Sequence, residues 1–342
     1  MLVKIRKITT VSMKFLPFLS FIPPLLILYF IDHPSFSLMY PGRTAYIFFL
    51  WLSFLEIIMY WEKIQTRKIT RSKLVVTCFN FFLFLLPTIY LLAYIAIAKY
   101  LGVEQIFLIS LYPNSPLARQ MYFALSMEYI IFSVLFALVV LSAYKMRGLF
   151  GLQTPAFFLG AMGLIFLVDW AYPGGNFTPF QALVRPTATA AAAILNMMGY
   201  EARLLEIEDP TYGPLSYMRG YDPHTGSSAG FSIAWPCAGV ESLLLYTLTI
   251  LVFLQTLPAL KRQKVIYFTV GFVVTYFVNI LRIVTIFLIA LNKGDVWAFH
   301  NYYGWLYSVS WIVFYPLVIT GCQRLLNRRE RSSVVMSFSS QN

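Results

Sequence analysis

Apolar residues along the 342-residue chain gather in runs of seventeen or more, separated by shorter segments that hold most of the charge. A helix needs about 20 apolar residues, with a range of roughly 17–25, to cross some 30 Å of hydrocarbon. The pattern therefore predicts eight membrane-spanning helices, at about 15–31, 44–61, 74–98, 121–144, 155–171, 238–258, 265–291 and 303–322. Pro23-Pro24, Pro87 and Pro316 fall inside three of them. Neighbouring helices and water can satisfy the carbonyls a proline frees, so kinks rather than breaks are expected. The first run follows Lys4, Arg6, Lys7 and Lys14 in the manner of a signal peptide, but it is too long and leads into Asp32-His33-Pro34 instead of a small-residue cleavage site. It is expected to be a retained span.

Composition agrees with this reading. Hydrophobic residues make up 59% of the chain and charged residues 12%, against roughly 45–50% and about 25% in soluble domains. The net charge of +12 would suggest nucleic acid in a soluble protein, but in a polytopic one basic residues collect in cytoplasmic loops. With the N-terminus inside, segments 1–14, 62–73, 145–154, 259–264 and 323–342 carry 4, 5, 2, 3 and 4 Lys/Arg, 18 in all, and the outside loops carry seven. Outside loops hold eight acidic residues and inside loops two. An all-α plasma-membrane protein with both termini inside is the expected architecture, and nucleic acid is discounted as a partner.

The long segment 172–236 stands out, since most connections run to about 4–6 residues. Thr187 to Tyr200, with its alanine run, is expected to be a helix lying on or dipping into the membrane; as a ninth span it would reverse every later loop. Turn signals at Asp209-Pro210, Gly213-Pro214, Asp222-Pro223 and Gly226 separate strand-like pieces at Ala202–Ile207 and Phe231–Trp235, which predicts a small hairpin. The serine-rich tail beyond Arg331 is expected to be disordered. The chain thus divides into five N-terminal spans (1–171), an outer loop subdomain (172–236), three further spans (237–322) and a basic tail (323–342).

Three cysteines, Cys78, Cys237 and Cys322, lie far apart with no C-x-x-C pair, which excludes a disulfide framework or a zinc motif as the reading of the sequence. Cys78 and Cys322 read as inert thiols. Cys237 differs, because Trp235-Pro236-Cys237-Ala238-Gly239-Val240-Glu241-Ser242 sets it at the start of the sixth span. Proline suits a first helical turn, and the unpaired amides there favour a thiolate. Arg282, in Asn279-Ile280-Leu281-Arg282, lies within the seventh span, about nine residues from its outer end. A guanidinium in a span faces protein or a wet cavity, and its length lets it reach outward by snorkelling. Asn279, one turn earlier, shares its face. His300, in Phe299-His300-Asn301, falls at the outer mouth of the eighth span and can exchange protons near neutral pH. A structural pairing of Arg282 with Glu128, Asp169 or Glu241 is the competing explanation of its burial, and the two are compatible.

A thiol, a guanidinium and an imidazole on one side of a membrane can carry out acyl transfer through a thioester. No cofactor and no metal is called for, and neither a P-loop nor H-E-x-x-H occurs. Gly226-Ser227-Ser228-Ala229-Gly230 fits G-x-S-x-G but lacks the expected strand-turn-helix context, and is read as chance. His33 and His224 read as loop histidines.

The run Pro236-Cys237-Ala238-Gly239-Val240-Glu241-Ser242, then Asn279-Ile280-Leu281-Arg282, then Phe299-His300 with Gly304-Trp305 resembles the exosortase/archaeosortase family, most strongly over about 185–322. The resemblance implies a membrane cysteine transpeptidase or protease with Cys237, Arg282 and His300 as its catalytic set, and Gly239, Ser242 and Asn279 in support. It implies substrates that are membrane-anchored proteins ending in a short motif, a transmembrane helix and a basic tail, cut at the extracytoplasmic face. In archaeal members it further implies a lipid as acceptor. The outer loop is then expected to hold the extended motif beside Cys237 by strand addition. A second class, a secondary transporter using Glu56, Glu128, Asp169 and Glu241, would require an inverted repeat, and none is visible.

Overall fold

The computed structural model describes residues 15–36, 42–59, 61, 73–102, 118–149, 152–172, 177–209, 213–235, 237–300 and 304–339. The basic segments 1–14 and 62–72, together with Pro236, lie outside them. The N-terminal half contains α1 (Leu16–Leu19), α2 (Ile22–Ile31), α3 (Ala45–Met59), α4 (Lys73–Tyr100), α5 (Ala118–Leu149) and α6 (Gln153–Ala171). Then come α7 (Thr178–Gln181), α8 (Val184–Met197), β1 (Glu201–Asp209), β2 (Gly213–Tyr221) and β3 (Ser228–Ile233), followed by α9 (Val240–Thr256), α10 (Lys261–Leu291), α11 (Val296–Ala298) and α12 (Gly304–Ser339).

Among the described residues five helical stretches are long and apolar enough to cross a membrane: Phe81–Tyr100, Gln120–Tyr144, Gln153–Ala171, Lys261–Leu291 and Leu306–Leu326. Three shorter apolar stretches, Leu16–Ile31, Ala45–Met59 and Val240–Thr256, fall where the other expected spans lie. The first is not one kinked helix but two pieces, because Pro23 sits in the first turn of α2. A proline lacks the N–H that would continue the helix from before it, and it is pre-shaped to start a new one. Pro87 and Pro316, by contrast, sit within unbroken helices. The tail expected to be disordered instead extends α12 to Ser339. Nothing after Gly321 is a proline or a glycine, and serine disfavours helix only mildly.

The N-terminal helices share an aromatic core that includes Phe21, Tyr46, Phe49, Phe132, Phe136, Phe158 and Phe166. α5 and α6 approach closely at Gly163, where a Cβ would meet Ile130 and the Ser126 carbonyl; Ser126 Oγ donates to the Gly163 carbonyl at 2.8 Å. Small residues permit this contact between lipid-embedded helices. Arg43, counted from the sequence as an outer-loop residue, is 1% exposed. It grips Glu128 through Nε at 2.9 Å and Nη2 at 2.7 Å, and its Nη1 donates to Asp32 at 2.8 Å.

The loop subdomain is a three-stranded antiparallel sheet in the order β1-β2-β3. Both expected strand pieces form, but they do not pair with each other. Each pairs with β2, which the turn signal Gly213-Pro214 concealed: Glu201 faces Tyr221 on one side and Ser216 faces Ile233 on the other. Pro214 is tolerated because it stands at the start of the strand. One face of the sheet buries Ala202, Met218 and Ile233 in a second core with Ala188, Ala191 and Leu195 of α8 and Ile283, Val284 and Phe287 of α10. α8 thus occupies most of the region where the interfacial helix is expected, and it mounts the sheet on α10.

Candidate active site

Cys237 lies in a tight turn between β3 and α9. The turn closes through Ala238 N–H to the Ala234 carbonyl at 3.0 Å and Val240 N–H to the Trp235 carbonyl at 3.3 Å. Gly239 then caps α9 at φ +77°, a left-handed conformation that side-chain-bearing residues rarely adopt. Asn279 Nδ2 donates to the Gly239 carbonyl at 2.9 Å, and Ser308 Oγ donates to Asn279 Oδ1 at 2.8 Å. One buried amide therefore ties the cysteine turn to α10 and α12.

This contact fixes where the cysteine turn meets α10. Asn279 precedes the end of α10 at Leu291 by twelve residues, or about 18 Å at 1.5 Å per residue. The cysteine turn packs alongside the middle of α10, and the last turns of that helix, at Phe287 and Leu291, pack against the sheet. Arg282, less than one turn after Asn279 on α10, therefore lies beside the cysteine turn.

Arg282 is 4% exposed, and among the described residues its Nε and Nη1 make no hydrogen bond. It interacts electrostatically with Cys237 and with Glu241, a fully buried residue in the first turn of α9. Of the three carboxylates weighed as its partners, Glu128 is engaged by Arg43 instead. Ser242 is buried, and among the described residues its hydroxyl also lacks a hydrogen bond.

His300 follows α11, whose first turn is capped by Asp295 Oδ1 accepting from Ala298 N–H at 2.9 Å. Cys237 and His300 line the same cavity of about 150 Å³, together with Phe231, Ser232, Ile233, Ile283, Ile286, Phe287 and Val296. Burial pushes the His300 imidazole down to about 4, with Arg282 adding to the effect. Burial pushes the Cys237 thiol up; Arg282 opposes that rise and Glu241 adds to it. At neutral pH the resting pair is therefore a thiol and a neutral imidazole. Cys78 and Cys322 are exposed on other helices and have no part in this cavity. Among the described residues no group of three or more His, Cys, Asp or Glu side chains is arranged to hold a metal ion.

The sequence offered Glu241 as one of three partners for Arg282 without choosing among them, because nothing in the chain order says which carboxylate packs beside α10. Nor did it reveal Ser308, a serine among many.

These features define a class: a multi-pass helical membrane protein with a thiol and an imidazole on one apolar cavity beside a small sheet, and a buried guanidinium next to the thiol. Residues 43–316 match the family model of the transmembrane exosortases (Exosortase_EpsH), and the chain belongs to that family. No curated protein and no solved structure matches it. Membership brings a sorting-related activity at the family level. The transporter reading has no support, and two of its carboxylates are otherwise occupied: Glu128 by Arg43 and Glu56 by the Thr154 hydroxyl.

Proposed function

We propose that the protein is a membrane-embedded cysteine transpeptidase or protease that cuts surface proteins near a C-terminal sorting signal at the extracytoplasmic face. The observation that carries this reading is the buried Arg282 guanidinium beside Cys237, whose Nε and Nη1 make no hydrogen bond among the described residues. A buried, unspent donor is costly in a resting protein. It becomes useful when negative charge develops on a substrate oxygen.

In the proposed reaction the neutral His300 imidazole takes the Cys237 proton as sulfur attacks the scissile carbonyl carbon. Arg282 donates to the oxyanion. The imidazolium then gives its proton to the leaving amine as the carbon–nitrogen bond breaks, and a thioester remains. Water or a second amine resolves it, and for a lipid-linked product the acceptor is a membrane lipid. The eight-span, N-in and C-in topology belongs to this proposal, since it orients the cavity outward.

The test is co-expression with a protein from the same genome that ends in motif, helix and basic tail. Cys237→Ala is expected to abolish its processing while the variant still accumulates in membranes. Unchanged cleavage by that variant would sink the proposal.

A further inference from the structure

The cavity beside Cys237 borders three successive residues of β3, Phe231, Ser232 and Ile233. Successive strand residues point to opposite faces, so a space touching all three runs along the edge of the strand rather than over one face. That edge is open to pairing: β3 is the last strand of the sheet, and β2 is its only partner strand among the described residues. The strand leads within four residues to Cys237. Across the cavity the walls are apolar, from Ile283, Ile286, Phe287 and Val296. A volume of about 150 Å³ matches an apolar cavity known to admit a benzene ring, so it takes one aliphatic or aromatic side chain.

Resting on the proposed cysteine chemistry, we infer that the substrate binds as an added strand on the open edge of β3, and that the residue supplying the acyl carbon drops an uncharged apolar side chain into this cavity. Main-chain hydrogen bonds to β3 supply affinity and the cavity supplies selectivity. The acyl residue is the one assigned because it remains bonded to sulfur in the thioester and so stays next to the cavity that Cys237 lines.

Blocked tripeptide chloromethyl ketones test this on the full chain in detergent, with Cys237 alkylation followed by peptide mass spectrometry. In the reaction the sulfur–carbon bond forms as chloride leaves, with no turnover required. A leucine at the reactive position is expected to label at least about tenfold faster than aspartate or lysine. Methylating the peptide's backbone nitrogens is expected to remove most of that rate. Ile286→Trp, which fills the cavity, should abolish the leucine preference in a variant whose helix content by circular dichroism matches the wild type. Should that variant fail to fold, Ile286→Ala should shift the preference toward phenylalanine.

Equal labelling by leucine and aspartate peptides overturns the inference, as does insensitivity to backbone methylation. A decanoyl chloromethyl ketone that outcompetes every peptide would assign the cavity to an acyl chain instead. Failure of the cysteine mechanism itself has a different signature, namely substrate processing that survives Cys237→Ala.

Discussion

Asn279 and Gly239 are forty residues apart in sequence and in contact in the fold: the asparagine amide donates to the glycine carbonyl at 2.9 Å. The same proximity fixes the residue type at 239, because a Cβ there would collide with the Asn279 side chain.

Gly239→Ala meets two obstacles, that collision and the left-handed φ, which alone costs roughly 1–2 kcal/mol. The variant is expected to displace Cys237 and to lose substrate processing while its helices remain intact. Asn279→Ala leaves the Gly239 carbonyl and the Ser308 hydroxyl without their partner, a penalty of about 1–3 kcal/mol. It is expected to slow processing about tenfold to a hundredfold. Helix content by circular dichroism, measured beside processing rate, separates a misplaced thiol from a misfolded protein. Wild-type processing by either variant would remove Asn279 and Gly239 as positioning residues.

Arg282→Lys keeps the charge but replaces a planar fork of donors with a compact ammonium. Loss of an oxyanion donor typically costs about a hundredfold to a thousandfold in rate, and a fall of that size is expected here. Cys237 alkylation by iodoacetamide should change little, since the thiol retains a neighbouring cation. Equal processing rates for the two side chains would reduce the role of Arg282 to its charge.

The pH behaviour follows from the resting thiol and imidazole. With the Cys237 thiol pushed up by burial, alkylation is expected to climb with pH beyond the usual thiol range of about 8.5. A thiolate–imidazolium pair would instead give a plateau between about pH 5 and 8. For stability, His300 titrates near 4 in the fold and near 6.5 when unfolded. Between those values the unfolded chain binds more protons, so stability is present above about 6.5 and is lost as pH falls toward 4. Melting temperatures in detergent should fall over that window, and His300→Gln should fall less.

Arg43→Met leaves Glu128 and Asp32 buried with no cation between them. Breaking a buried pair from one side costs about 3–5 kcal/mol, and a large loss of melting temperature is expected. Replacing Arg43, Glu128 and Asp32 together by apolar residues should recover much of it. Destabilisation by the triple variant equal to that of Arg43→Met alone would contradict this account.

Helix positions were legible in the sequence because hydrocarbon demands long apolar runs. The bounds of α4, α6 and α10 fall within a few residues of the expected spans. Cys237, Arg282 and His300 stand out through loop charge and the family resemblance together; Cys237 and His300 line one cavity, and Arg282 interacts with Cys237. What the sequence hid were relations that depend on depth and register. Hydropathy says nothing of where one helix meets another, so the sequence left open whether Arg282 reaches Cys237; the Asn279–Gly239 contact brings the cysteine turn to that stretch of α10. β2 was hidden because Gly213-Pro214 is a turn signal wherever it stands, and only the pairing with β1 and β3 overrides it. Arg43 looked like a loop cation since its partners, Asp32 and Glu128, are far from each other in sequence and meet only where Arg43 joins the end of α2 to α5.

The proximity of Glu241 and Arg282 also bears on how the chain is assembled. α9 and α10 are joined by only four residues, 257–260, so they form a helical hairpin. An arginine alone near the centre of an inserting helix costs about 2.5–3.5 kcal/mol on translocon scales. A hairpin that carries both charges has no net formal charge from the pair. These two helices are therefore cheaper to deliver into lipid together than in succession, and biogenesis of the site favours their joint insertion.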